Sequence, residues 1–161
     1  MKHPKHYDTD AATSKRMGSL KLKRGKEETM LAKELWHRGY RYRLNYKKIP
    51  GSPDIAMTKY NIAIFVDGEF WHGKDWSIRR DKLKRNKEYW KEKIEENIAR
   101  DTRVDLELRQ LGWIPLHFWS KQVLESVEAC ADEIEDVVEE LIKDQEDNVY
   151  LNYDFSEENP C

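Results

Sequence analysis

Three acidic side chains stand at the ends of two neighbouring predicted strands. Asp54 follows Pro53 and precedes a short apolar run, whereas Asp67 and Glu69 follow the next apolar run. If the two strands pair antiparallel, the start of one lies beside the end of the other, so the carboxylates converge at one sheet edge. Gathered carboxylates are typical ligands of Mg²⁺, which can polarise a phosphodiester and activate water. The pattern therefore indicates metal-assisted phosphodiester hydrolysis.

A histidine close to these acids can serve as a base. His72 comes five residues after Asp67, and a histidine beside a carboxylate site can take a proton from water. The spacing of the acids resembles the nuclease signature PD…(D/E)xK. The lysine of that signature is absent, since Asp67 is followed by Gly68, Glu69 and Phe70. The alternatives are a Pro-Asp pair that only starts a turn and a histidine that is merely hydrogen-bonded beneath a loop.

Further acids fall on helix faces that are otherwise apolar. Glu28 shares the face of one predicted helix with leucines, and Asp101 and Asp105 lie on the apolar face of a longer one. A buried carboxylate is costly unless it is paired or bound to a metal. Orienting His72 or a metal-bound water would explain their positions. The alternative is a salt bridge with an arginine of the same helix.

Aromatic and basic residues are interleaved between positions 70 and 90. The aromatic residues are Phe70, Trp71, Trp76, Tyr89 and Trp90, and the basic ones are Lys74, Arg79, Arg80, Lys82, Lys84, Arg85 and Lys87. Basic side chains neutralise phosphates, and aromatic rings stack on bases or wedge between them. The segment is therefore typical of a nucleic-acid surface, although the spacing of Trp90 also fits a core position.

Charge divides the chain into two unequal parts. Residues 1–119 hold 27 Lys and Arg against 17 Asp and Glu, a balance of +10, whereas residues 120–161 hold 2 against 14, a balance of −12. Such asymmetry is typical of a polyanion-binding body with an acidic appendage. The alternative is that the charge runs are solvated helix faces.

Composition excludes several classes of protein. The chain has 161 residues, enough for one domain, and its 11% aromatic content argues against a disordered charged chain. No apolar run is long enough to span a membrane, and no apolar stretch near the N-terminus resembles a secretory signal. Two cysteines, Cys130 and Cys161, cannot form a disulfide framework, so we expect a cytoplasmic location.

The elements that must position these residues can be read from hydrophobic spacing. The pattern predicts helices over residues 26–38, 86–111 and 122–143, strands over 40–46, 54–57, 62–66 and 113–119, and a basic loop over 74–85. Pro115 favours an edge position or an irregular stretch for the last strand. Residues 1–25 resemble a polar arm, and the last residues show no clear period. The predicted fold is α/β, with helices on both faces of a small mixed sheet.

Several segments, taken together and in order, resemble the very short patch repair (Vsr) endonucleases, the DNA mismatch nucleases of bacteria. The matching pieces are Thr13–Met17, Glu28 with Leu31 and Ala32, Pro50–Asp54, Phe65–His72, Tyr89 with Trp90, Lys93–Asn97, Arg100 with Asp101, and Leu111–Trp113. The resemblance covers about three quarters of the chain. It divides the sequence into a DNA-contacting arm at 1–25, an endonuclease domain at 26–145 and an acidic tail at 146–161.

The resemblance implies a restriction-endonuclease-like three-layer α/β/α fold and Mg²⁺-dependent cleavage 5′ of the thymine in a T·G mismatch. It implies that Asp54 and the main-chain carbonyl of Val66 ligate the metal and that His72 is the general base. It also implies that Glu28 and Asp101 orient His72 and the metal-bound waters. Residues implied to contact double-stranded DNA are Lys15, Arg16, Met17, Phe70, Trp71 and Trp90, with the last three as a wedge beside the mismatch. Repair-pathway proteins or a cognate cytosine methyltransferase are the implied partners.

The chain also departs from the family's pattern. At positions that match the family's zinc ligands it has Glu69, Lys74 and Lys121, and since none is a soft ligand we expect no structural zinc. Asp67 replaces a histidine common in the family, and we predict that it is an additional metal ligand. The alternatives are a Vsr-like restriction or homing endonuclease of different specificity and a DNA-binding module without catalysis.

Overall fold

A four-stranded mixed sheet lies at the centre of the computed structural model, which describes residues 25–69 and 72–157. Along the chain the elements are α1 (Lys26–His37), β1 (Arg43–Leu44), β2 (Ile55–Met57), β3 (Ile62–Asp67), α2 (Trp76–Arg79), a 3₁₀ turn (Arg80–Lys82), α3 (Lys87–Gln110), β4 (Ile114–Trp119), α4 (Ser120–Glu125) and α5 (Val127–Glu157). The strands are ordered β1-β2-β3-β4.

The sheet combines two kinds of pairing. β1 pairs with β2 and β2 with β3 antiparallel, whereas β3 and β4 run parallel with Phe65 opposite His117. β4 is an edge strand, as Pro115 predicts, because proline cannot donate to a further strand. Parallel pairing needs a long crossover, and α3 supplies it between β3 and β4.

Both faces of β3 are covered, which explains its uninterrupted apolar sequence. Ile62 and Ile64 belong to a core that also contains residues of α1, α4 and α5. Ala63 and Phe65 point to the other face, where they pack with Leu108 of α3. The predicted α/β arrangement with helices on both faces of a small mixed sheet is therefore confirmed, while its assignment as restriction-endonuclease-like stays a prediction.

The first predicted strand is shorter than expected. The strand itself covers only Arg43–Leu44, whereas alternation of side chains predicted residues 40–46. The N–H of Gly39, which has φ +94°, and the N–H of Tyr40 close the end of α1 by donating to Trp36 and Leu35 carbonyls. The backbone at this point completes a helix C-terminus, so it is not free to join the sheet.

Two predictions about the second half of the chain were wrong in their bounds. The basic segment 74–85 contains α2 and the 3₁₀ turn, which are too short to produce a hydrophobic period. The last predicted helix is interrupted at Ser126, where φ is −156°, and continues as α5 to Glu157. The side chains of 142–150 are exposed, so this part of α5 lacks the buried stripe by which sequence reveals a helix.

The Arg38 side chain links the basic body to acidic residues of α5. The Arg38 guanidinium, at the end of α1, bonds Asp132 at 2.6 Å and Glu135 at 2.8 Å, and it also bonds Glu34 within α1. The hydrogen bonds to Asp132 and Glu34 raise the pKa of Arg38 above its ordinary value.

In the described part of the chain, none of the helices combines the length and apolarity that crossing a bilayer requires.

Candidate active site

Antiparallel pairing of β2 with β3 brings the predicted acids to one end of the sheet. Ile55 pairs with Ile64, so Asp54, one residue before β2, lies beside the end of β3. The Val66 N–H donates to Asp54 Oδ2 at 2.8 Å. Asp67, the last residue of β3, is 8% exposed. The structure thus places Asp54, Val66 and Asp67 together at the sheet edge.

Asp54 is in an environment that disfavours its negative charge. Burial raises the pKa of its carboxyl above the ordinary value, and the nearby charge of Asp67 raises it further. The Val66 N–H, a hydrogen bond with Glu28 and the charge of His72 act in the opposite direction. Two carboxyl groups can share a hydrogen bond only through a proton, so Asp54 and Glu28 form an acid pair in which one carboxyl donates to the other.

His72 lies between two carboxylates. Its Nδ1 is 2.6 Å from Asp101 Oδ2 on α3, and its Nε2 is 3.7 Å from Asp67 Oδ1. An ionised Asp101 only accepts hydrogen bonds, so Nδ1 donates. In the neutral imidazole this leaves the lone pair on Nε2, which faces the acidic end of the sheet. The structure thus brings Glu28, Asp54, His72 and Asp101 into one site, from α1, the start of β2, the turn at residues 72–75 and α3.

A glycine lets the loop that carries His72 approach α3. Gly73 has φ +70°, and a Cβ built on it would lie 2.4 Å from Ile98 Cδ1. Only glycine combines this backbone conformation with such a close contact at low cost. Gly73 therefore helps to set the distance between His72 and Asp101.

Sequence reasoning missed one residue of the site, His117 on β4. Its Nδ1 lies 2.7 Å from Asp67 Oδ2, and its Nε2 lies 2.7 Å from Asp105 Oδ1. Burial lowers the pKa of the imidazole, but hydrogen bonds to Asp67 and Asp105 outweigh it and raise the pKa to about 9. The signal that could have found His117 was Asp105, an acid on an apolar helix face that had no named partner.

An open cleft of about 510 Å³ lies over these groups. Pro50, Gly51 and Ser52 form one part of its lining, His72 and His117 another, and Arg100 and Arg103 of α3 a third. The arginines face the cleft, whereas the acids of α3 bond the two histidines. The salt-bridge alternative for Asp101 and Asp105 is therefore replaced by carboxylate–imidazole pairs.

The candidate DNA-binding residues are only partly within the described chain. Trp90, in the first turn of α3, is half-buried and meets Tyr89 edge to face at a centroid distance of 5.0 Å. Lys15, Arg16, Met17, Phe70 and Trp71 lie outside the described residues. The adjoining basic surface is exposed, and it consists of Arg79, Arg80, Lys82, Lys84, Arg85 and Lys87.

Two of the positions that match the family's zinc ligands contact each other directly. Glu69 Oε1 accepts a hydrogen bond from the Lys121 N–H at 2.7 Å. Lys74 Nζ lies 5.7 Å from the centre of the Trp119 ring, and Trp119 is two residues before Lys121 in the sequence. These contacts join the loop after β3 to the start of α4. The absence of a structural zinc stays a prediction.

Fold and site together define a class of protein. The chain is a mixed α/β protein in which an acid pair and a carboxylate-bonded histidine meet at one sheet edge, beside two arginines and an exposed basic surface. Oxygen ligands, a base and phosphate-binding cations are the groups required to cleave a nucleic-acid phosphodiester.

Comparison with known proteins identifies the family. A family model described as "DNA mismatch endonuclease Vsr" matches residues 6–78. The type II nicking enzyme V.NmeDIP of Neisseria meningitidis serogroup C is 46% identical over 130 residues, which cover 81% of this chain and 88% of the relative. The type II nicking enzyme V.HpaIIP of Haemophilus parainfluenzae is 48% identical over 122 residues, covering 76% and 86%. The DNA mismatch endonuclease Vsr of Escherichia coli (strain K12) is 34% identical over 109 residues, covering 68% and 69%.

The chain belongs to the Vsr family and is a DNA nicking endonuclease. This confirms the family suggested by the sequence motifs and the prediction that the protein is an enzyme acting on DNA.

Proposed function

We propose that the chain nicks double-stranded DNA with the help of Mg²⁺ held at the sheet edge. Asp54 and the main-chain carbonyl of Val66 are the proposed ligands, and His72 is the proposed general base. Glu28 and Asp101 orient the groups around it. The observation that carries the proposal is the 2.6 Å contact of His72 Nδ1 with Asp101, because it leaves Nε2 to take a proton beside the acids.

The donor set suits a hard cation. Burial and the charge of Asp67 raise the pKa of Asp54. A cation bound there would therefore stabilise the negative charge that this environment disfavours. The Val66 N–H points to Asp54, and since N–H and C=O of one strand residue face the same side, its carbonyl faces that side too. Among the described residues, no three His, Cys, Asp or Glu side chains converge as a metal cage. Mg²⁺ commonly binds through only one or two carboxylates, with waters and phosphates completing its shell.

Each group at the site has a separate role in the proposed reaction. When bound, Mg²⁺ would polarise the scissile phosphodiester and stabilise the charge that develops on it. His72 Nε2 takes the proton of the attacking water, and Asp101 at Nδ1 stabilises the resulting imidazolium. Arg100 and Arg103, which line the cleft, attract the phosphate backbone. Phe70, Trp71 and Trp90 would enter beside the target base, while Lys15, Arg16 and Met17 of the arm would contact the DNA from another side.

Two candidate specificities follow from the comparisons. Nicking 5′ of the thymine in a T·G mismatch is the specificity that the Vsr resemblance implies. The relatives from Neisseria and Haemophilus are called type II nicking enzymes. Their sequence identity to this chain is higher than that of the E. coli Vsr enzyme. This difference favours a Vsr-like nickase with a recognition sequence of its own, and we propose that mismatch context and flanking bases differ from those of E. coli Vsr.

The remaining expectations concern partners and location. A nickase of this type creates a break that other enzymes must extend and reseal, so repair-pathway proteins or a cognate cytosine methyltransferase are proposed partners. The free, buried thiol of Cys130 is compatible with the reducing cytoplasm that we propose as its location.

The experiment is a nicking assay on a panel of duplexes that each carry one mismatch in varied flanking sequence, together with fully paired controls. We expect Mg²⁺-dependent cleavage of one strand, and the position of the nick gives the specificity. If every duplex that is nicked contains a T·G mismatch at the nick, the result would support specificity for the mismatch. Cleavage of a fully paired sequence would instead support a restriction-like specificity. Asp54→Asn should lower the rate by at least about 100-fold, and unchanged nicking by this variant would refute the proposed site.

A further inference from the structure

Carboxylates and imidazoles alternate in a row along the floor of the cleft. From one end to the other they are Asp105, His117, Asp67, His72 and Asp101, and the successive contacts are 2.7, 2.7, 3.7 and 2.6 Å. The row runs from α3 through β4 and β3 and back to α3. The proposed mechanism uses only its last two members.

We propose that His117 is a positioning residue for the nicking reaction: it holds Asp67 by Oδ2, so that Oδ1 faces His72 Nε2 and Asp67 is kept from the cation. The proposal rests on the proposed function, since it assigns the neighbour of the general base. It also offers an alternative to our prediction that Asp67 ligates Mg²⁺.

The orientation of His117 is determined on three sides. Both of its ring nitrogens face carboxylates, which accept hydrogen bonds and do not donate them when ionised. The ring stacks on Phe65 with a centroid distance of 4.8 Å and an interplanar angle of 11°. Phe65 is also its partner in the β3–β4 register. An imidazole with two ion pairs and a stacked aromatic ring has little freedom to rotate. Its Nδ1 therefore keeps a fixed position relative to Asp67.

Asp67 has correspondingly little freedom. Oδ2 is bonded to His117, and the main-chain oxygen accepts from Ser120 Oγ at 3.3 Å. Oδ1 is left facing His72 Nε2 across 3.7 Å, a separation that is too long for a direct hydrogen bond. When Nε2 takes a proton from water, Oδ1 is placed to stabilise the positive charge that forms. Asp67 thus stabilises the protonated form of His72, and His117 holds Asp67 in the orientation that allows it to do so.

Substitutions of His117 separate the two ring nitrogens. His117→Leu removes both contacts, His117→Asn places an amide nitrogen near the position of Nδ1, and His117→Gln places one near the position of Nε2. We expect single-turnover nicking by His117→Leu and His117→Gln to fall about 10- to 100-fold, as for other residues that orient catalytic ligands. His117→Asn should restore the rate to within about fivefold of wild type, with DNA affinity within about twofold throughout. His37→Leu makes the same chemical change on an exposed site of α1 and should nick like wild type.

Cation affinity, measured by calorimetry with Mg²⁺ alone and no DNA, provides the second readout. If His117 holds Asp67 from the cation, His117→Leu binds Mg²⁺ as tightly as wild type or more tightly. A loss of about tenfold or more in affinity would mean that His117 aims Asp67 at the metal, which would overturn the proposal. A wild-type nicking rate in folded His117→Leu would also overturn it.

Two controls keep the result interpretable. If His117→Leu does not fold, the order of His117→Asn above His117→Gln still tests the proposal, and the reverse order would refute it. Asp54→Asn tests the proposed active site independently. If Asp54→Asn is inactive while all His117 variants are normal, the nicking site stands and only the role of His117 is wrong.

Discussion

Stability of the fold should depend on pH through His117. In the folded chain, hydrogen bonds to Asp67 and Asp105 overcome the effect of burial and raise the pKa of His117 from 6.5 to about 9. A pKa that is higher in the folded state means that folding is favoured when the group is protonated. The contribution is therefore complete below the unfolded pKa near 6.5 and is lost as the pH rises through 9.

The size of the effect follows from the shift. A difference of about 2.5 units corresponds to roughly 3.4 kcal/mol at about 1.36 kcal/mol per unit. The His117 side chain is 32% exposed, and solvent screens part of each ion pair. We therefore expect about half of that ceiling, roughly 1.5 kcal/mol.

The assay compares wild type with His117→Leu by urea denaturation without divalent cations. The difference in their free energies of unfolding should shrink by roughly 1.5 kcal/mol between about pH 6 and about pH 10. Taking the difference between variants removes the contributions of groups that titrate in both. An NMR titration of the His117 ring, identified by its absence in the variant, should have a midpoint near 9. A midpoint near 6.5, or a difference in unfolding free energy that does not change with pH, would refute the reasoning.

Three further predictions test the rest of the site. Asp101→Asn should keep the His72 contact but lose its charge, lowering nicking by about 10- to 1,000-fold at neutral pH with DNA affinity unchanged; equal rates would exclude Asp101 as the partner of the base. Gly73→Ala should cost roughly 1 to 3 kcal/mol of stability and reduce nicking, because its Cβ would meet Ile98. Gly39→Ala is the matched control, since Gly39 also has positive φ but nothing within 4 Å of the added Cβ, and equal losses for the two would argue against the Ile98 contact. DNA affinity should fall steeply with salt despite a sequence pI near 6.2, and Lys82→Gln should reduce the slope of log K against log salt by about one; a flat dependence would contradict phosphate binding by the basic surface.

Much of the fold was predictable because its elements carry strong periodic signals. β3 is buried on both faces and is apolar from residue 62 to residue 66, and α3 shows an apolar stripe that ends before Gly112. Short elements such as α2 were missed because four residues cannot display a period. The second half of α5 was missed for a different reason, since the exposed side chains of residues 142–150 form no buried stripe.

The site was predictable where an acidic residue lies on a helix face that is otherwise apolar. Glu28 and Asp101 fall on apolar helix faces, and the structure gives each a partner in the site, Asp54 and His72. His117 carries no such signal itself, and only its partner Asp105 stood in such a place. A single histidine on an edge strand is ordinary, and its two carboxylate partners lie 12 and 50 residues away in sequence.

The prediction for Asp67 shows why a ligand cannot be assigned from one position alone. An acid at the end of a central strand, beside Asp54, is a typical metal ligand. The parallel pairing of β3 with β4 then places His117 opposite Phe65 and within 2.7 Å of Asp67. Whether the carboxylate turns to a cation or to His72 therefore depends on a strand that follows a 24-residue helix. A cation bound by Asp54 competes with the imidazole of His117 for the same acid, and their relative strength decides its role. The Mg²⁺ affinity of His117→Leu measures that competition directly, because this substitution removes the imidazole that bonds Asp67 Oδ2.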